Sequence, residues 1–157
     1  MLNISEYKDK VNYFFEIMIE NEEIADIKIS EEKWTLKEMV AHLIETASDH
    51  HHVVVKLQIN KKIVIHSYDP EIWKGITKIN GYNTMDLINL WKEYNNFLLY
   101  LTNNIDENYL SNTGEYNGTE YTLKYMIEDY YGQHMDWHIE LYKKRIDEIK
   151  RNQHISL

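Results

Sequence analysis

The chain has 157 residues and a mass of 19.0 kDa, enough for a single domain spanning 1–157 with its own core. Its 26 acidic and 17 basic residues give a net charge of −9, which argues against nucleic acid or an anionic membrane as partner, since both reward positive charge. The absence of cysteine removes disulfides, thiolate nucleophiles and zinc–thiolate sites together.

One proline and five glycines are few for this length, and so few turn residues point to a handful of long helices. The first helix is predicted over 5–23, where Ile4, Tyr7, Val11, Phe14, Phe15 and Met18 recur at three- and four-residue steps. The second is predicted over 35–60. Thr35 and Glu38 form a capping box after Trp34, and Leu36, Met39, Val40, Leu43, Ala47, Val54 and Leu57 make its apolar stripe. A crossover over 61–83 holds Pro70, and Asp69-Pro70 is suited to open a short helical turn. The third helix is predicted over 84–102, with Leu87, Trp91, Tyr94, Leu98 and Leu101 on one side. A second connection over 103–121 carries Asn117-Gly118, which can close a small hairpin. The fourth helix is predicted over 122–150, with Leu123, Met126, Ile127, Tyr130, Tyr131, Trp137 and Leu141 on its apolar side. Its opening, TLKYMI, echoes the TLKEMV that opens the second, as two good helix starts would. Four amphipathic helices with few breakers predict an all-α four-helix bundle with a long crossover between helices 2 and 3. The first ten residues, MLNISEYKDK, lack an apolar signal core, and no run approaches the ~20 apolar residues of a membrane span, so a cytoplasmic location is expected.

Eight histidines in a cysteine-free chain are the compositional feature that most needs explaining. His134 and His138 are four residues apart, one turn above each other, and an uninterrupted helix aims both into the middle of the apolar stripe. Buried imidazoles need partners for both ring nitrogens. A shared ion is one solution, and core histidines bonded to tyrosines or carbonyls are another. The second helix offers a further ligand. There the wheel places His50 inside the stripe and His42 on its flank, so geometry alone slightly favours His50. His51 and His52 point sideways and outward, and His66 and His154 read as surface residues. Three neutral imidazoles suit Zn²⁺ by default, and also Ni²⁺, Fe²⁺ or Co²⁺.

These residues resemble a known family. Trp34-Thr35-Leu36-Lys37-Glu38 through His42-Leu43 is similar to the opening of the second helix in DinB/YfiT-like proteins. His134-Met135-Asp136-Trp137-His138-Ile139 is similar to their final-helix signature, and Tyr68-Asp69-Pro70-Glu71-Ile72-Trp73 to a crossover stretch of the YfiT branch. The interval from Thr122 to His134 is one residue longer than in the nearest branch. The resemblance implies a four-helix bundle holding a divalent metal, zinc or nickel, on His42, His134 and His138, and so favours His42 over His50. It also implies a thiol S-transferase using a low-molecular-weight thiol such as bacillithiol, or a metal-dependent hydrolase, acting on a small molecule, with a homodimer expected.

Around such a centre Asp49 shares the flank of His42 and is the candidate base or orienting carboxylate, whereas Glu45 falls away from the core and reads as a surface acid. Tyr130, Tyr131 and Trp137 are candidate pocket walls, with Tyr68 and Trp73 at the mouth; plain packing is the competing reading for each. The alternative to an enzyme is a non-catalytic bundle, stapled by metal or free of it, acting as a binding or interaction module.

Overall fold

Apolar residues at helical spacing build the bundle in the computed structural model, which describes residues 1–155. Helix α1 (Ile4–Glu20) starts where the Asn3 side chain accepts the Glu6 N–H at 3.3 Å, and it buries Tyr7, Val11, Phe14 and Met18. Helix α2 (Leu36–Ile59) opens on the expected capping box. The Thr35 hydroxyl accepts the Glu38 N–H at 3.1 Å and the Glu38 carboxylate accepts the Thr35 N–H at 2.9 Å. Its buried face carries Leu36, Val40, Leu43, Ala47, Val54 and Leu57, with His50 in the same row.

The connection after α2 contains strand β1 (Lys62–Ile65) and helix α3 (Pro70–Thr77), the latter capped by Asp69 with Pro70 in its first turn. Helix α4 (Thr84–Asn103) packs on both α1 and α2, burying Leu87, Ile88, Trp91, Leu98 and Leu99. Strands β2 (Thr113–Tyr116) and β3 (Thr119–Thr122) then form the hairpin, turning through Asn117 and Gly118 at φ 50° and 81°.

The all-α expectation needs one correction. β1 pairs in parallel with β2, Ile63 opposite Gly114, so the hairpin is part of a three-stranded sheet. A four-residue, half-exposed strand whose partner lies some fifty residues on leaves no periodic signal in the sequence. Gly114 permits the close packing: a Cβ there would come within 2.6 Å of Met126 Cε and 2.7 Å of Ile65 Cδ1.

The last helix is also not the uninterrupted rod predicted. Helix α5 (Leu123–Asp129), capped by Thr122, runs into a π-type turn over Tyr130–His134 with a kink at Gly132, and then into α6 (Met135–Ile155). A π turn takes up one extra residue and so rotates every later side chain by about 100° around the axis. The stripe therefore passes from Leu123 and Ile127 to Met135, Ile139, Tyr142, Ile146 and Ile149. Trp137, placed in the stripe by the uninterrupted wheel, is 58% exposed. His134 and His138 stand at the stripe's margin rather than its middle. The same turn accommodates the extra residue between Thr122 and His134. Among the described residues no helix is long and apolar enough to cross a membrane.

Candidate metal centre

Helix α2, the end of the π turn and the start of α6 bring three of the histidines to one place. The Nε2 atoms of His134 and His138 are 3.2 Å apart, and their rings meet edge to face at 4.6 Å. The His42 ring lies 5.4 Å from that of His138. Trp34 stands edge-on to His42 at 5.6 Å and Trp137 to His138 at 4.7 Å. The chain before α2 is fixed by Arg145, which donates to the Trp34 carbonyl, and by the Trp34 indole, which donates to Glu71.

Burial, and then the neighbouring His134, hold the His42 imidazole below its ordinary pKa. Burial, followed by His134 and His42, pushes His138 down to about 3, and burial lowers His134. All three are therefore neutral near pH 7, with a lone pair each, which is the state that ligates a cation.

Two imidazole nitrogens sharing a tetrahedral ion at 2.0–2.1 Å stand about 3.3 Å apart, close to the His134–His138 separation. A hydrogen bond between the same two neutral rings explains the 3.2 Å equally well. Among the described residues, no group of three or more His, Asp and Glu side chains stands as a complete ligand set. The donor chemistry fits a divalent ion, and the third ring must close on the pair to complete it.

On the far side of His42, Nδ1 faces the Tyr68 hydroxyl at 3.4 Å and Glu45 Oε2 at 3.9 Å. Glu45 is the residue that sequence reasoning set aside as a surface acid. Its side chain is 13% exposed, and burial, together with Asp49, pushes its carboxyl up to about 7. The available signal was its place three residues after His42, one turn away. Asp49 is itself exposed, and its carboxyl is raised by partial burial. It lines a cavity with His134 rather than contacting His42.

His50, the candidate that the wheel favoured, is buried, and its ring lies flat on Tyr130 at 4.0 Å. Burial, followed by His134 and His51, pushes its pKa down to about 3, and Nε2 has no hydrogen-bond partner. His51 meets the Tyr94 hydroxyl at 3.1 Å, away from the centre.

Two cavities flank the histidines. One, of about 380 Å³, includes Asp49, His50, Tyr130 and His134 in its wall. The other, of about 370 Å³, includes Trp34, His42, Trp137, His138 and Arg145. Tyr130 and Trp137 thus stand on cavity walls. Tyr131 does not: it is fully buried and stacks on Tyr7 at 4.8 Å, a core role. Tyr68 packs on Trp73 at 5.0 Å beside His42.

No family model and no curated protein matches the sequence. Among solved structures, YfiT from Bacillus subtilis superposes with a TM-score of 0.69 over 96% of this chain and 85% of its own, at 17% identity. That protein is described as a probable metal-dependent hydrolase with an unusual four-helix bundle topology. The likeness bears out the DinB/YfiT-like resemblance at the level of the fold.

Proposed function

We propose, from this shared fold and the convergence of three neutral imidazoles, that the chain is a divalent-metal-dependent hydrolase of small molecules with His42, His134 and His138 as ligands. The 3.2 Å approach of the His134 and His138 Nε2 atoms, between two cavities, carries the reading. A zinc ion, or nickel, held there supplies a Lewis acid and lowers the pKa of water toward neutrality. Tyr68 and Glu45 at Nδ1 fix the ring plane of His42 and so direct its other nitrogen. Asp49, on the same wall as His134, is the carboxylate placed to accept a proton from the reacting group. Trp34 and Trp137 cover the other side and exclude water.

The presence of a second cavity favours one further reading. It gives room for a co-substrate, so a low-molecular-weight thiol such as bacillithiol is the alternative nucleophile, and the reaction is then an S-transfer. Elemental analysis after chelator-free purification tests the ligand set. About one ion per chain is expected in the wild type and a large loss in His42→Ala, His134→Ala and His138→Ala, with retention in His51→Ala and His154→Ala. Equal metal content in all five variants overturns the assignment. Turnover of an electrophile such as monobromobimane with and without bacillithiol then separates the two reactions, because thiol-independent turnover removes the transferase.

A further inference from the structure

The cavity that ends at His134 is built from elements of opposite origin. Asp49, His50 and Val53 come from α2; Ile65, Tyr116 and Tyr121 come one from each strand; Tyr125, Asp129 and Tyr130 come from α5 and the π turn. Tyr121 and Tyr125 stack on one another at 5.1 Å with their planes 17° apart, a paired aromatic element of the wall. Among the described residues lining the cavity there is no lysine or arginine, and neither Asp49 nor Asp129 forms an ion pair. Two lysines close in sequence to the wall are engaged elsewhere: Lys62 with Glu115 and Glu120, Lys124 with Glu128 at 3.8 Å. His50 is 7% exposed, and its Nε2 is buried without a partner, a state that leaves a polar atom uncompensated.

We propose that this tyrosine-walled cavity recognises an organic ammonium group carried on a small apolar body. The faces of aromatic rings are negative and attract a cation, and unpaired carboxylates add to that attraction. An anion meets both as repulsion, and a neutral ligand leaves the carboxylates unmatched. Val53, Ile65 and Met126 supply the apolar surface for the body of the ligand. The His50 ring stands on the same wall, with its enclosed Nε2 still without a partner. The proposal deepens the hydrolase reading by giving its substrate a charge. It rests on that reading only in calling the occupant a substrate; the binding preference stands by itself.

Calorimetric titration of the protein as purified, near pH 7, with phenethylamine, 2-phenylethanol and 3-phenylpropanoate tests it. The amine is expected to bind at least about tenfold more tightly than the alcohol, and samples without bound metal, where no ion can ligate it, are expected to show no saturable binding of the carboxylate. Benzyltrimethylammonium, which has no lone pair to offer an ion, is expected to bind as well. Asp49→Asn and Asp129→Asn should each weaken the amine about five- to tenfold, and Asp136→Asn, which faces Lys10 at 2.8 Å outside the cavity, should not. Equal affinity for amine and alcohol overturns the proposal, as does indifference to both cavity variants when circular dichroism shows them folded. If those variants do not fold, the preference among the three ligands in the wild type decides. Metal content read on the same samples keeps the two readings apart: an amine preference without bound metal sinks only the hydrolase, and bound metal without the preference sinks only the ammonium site.

Discussion

The two cavities that meet at the histidines have nearly the same volume, about 380 and 370 Å³, and opposite charge economies. In the tryptophan cavity every cation has a structural duty. Arg145 donates to Glu148 at 2.8 Å and to the Trp34 carbonyl, Lys33 meets Glu148 at 3.0 Å, and at its edge Lys74 meets Glu71 at 2.9 Å while lying over the Trp34 ring. In the tyrosine cavity the two carboxylates are left without ion pairs among the described residues. Charge that is neutralised by the fold holds a wall in place, and charge left open is available to a ligand. The contrast assigns water exclusion to the tryptophan side, which His42 and His138 face, and recognition to the tyrosine side, which His134 faces.

The most severe way to break this comparison is to remove the ring the other two histidines meet. His138→Ala should lower metal affinity by more than about 100-fold in a competition titration with a chromogenic chelator, whereas His50→Ala should leave it within a few-fold. Comparable losses from both would make His50 a ligand and merge the two sides. Next in size, Tyr130→Phe deletes the hydroxyl that donates to buried Asn95 at 3.1 Å. It should cost about 1–3 kcal/mol in urea unfolding, because the Asn95 acceptor then lacks its donor. Gly118→Ala places a side chain at φ 81° in the hairpin that walls the tyrosine cavity, and should cost about 1 kcal/mol while leaving metal content unchanged. Trp137→Ala removes a ring 58% exposed on the other wall. Its effect on stability should stay within about 0.5 kcal/mol, so any rise in KM reports the cavity and not the fold.

The entrance to α2 gives a pH test of the frame that carries His42. Burial alone would raise the Glu38 carboxyl, but the Thr35 N–H, the Asn80 amide and Lys28 outweigh it and hold the carboxyl below its ordinary 4.5. A lowered folded value stabilises the protein above the unfolded value and is lost as pH falls through the folded one. Wild-type stability should therefore drop on the acid side of about pH 4.5, and Glu38→Gln should flatten that part of the profile. An unchanged slope would mean that the capping box does not set the stability of this helix start.

Much of the bundle was legible because helices write themselves locally. The Thr35–Glu38 box, the Asp69-Pro70 start and the Asn117-Gly118 turn each depend on residues within four positions, and each forms as read. The burial of His50 and the flanking place of His42 also follow from a regular wheel on α2. The wheel failed on the last helix because it assumes one period throughout, and one extra residue at Tyr130–His134 turned the stripe away from Trp137 toward Tyr142. Glu45 was misread for a related reason. A wheel measures distance from the core axis, and the acid's partners, His42, Tyr68 and Asp49, gather on the flank.

By itself the amino-acid order determined the first three rods, the caps at Thr35 and Asp69 and the four-residue step between His134 and His138, since these depend on rise and rotation per residue. Tertiary structure alone decided that β1 would pair with β2, that four tyrosines distant from α2 in the chain would share a cavity wall with Asp49 and His50, and that the His42 ring would approach His138 to 5.4 Å. Those outcomes depend on the packing of segments far apart in the chain, and no local periodicity encodes the distance between them.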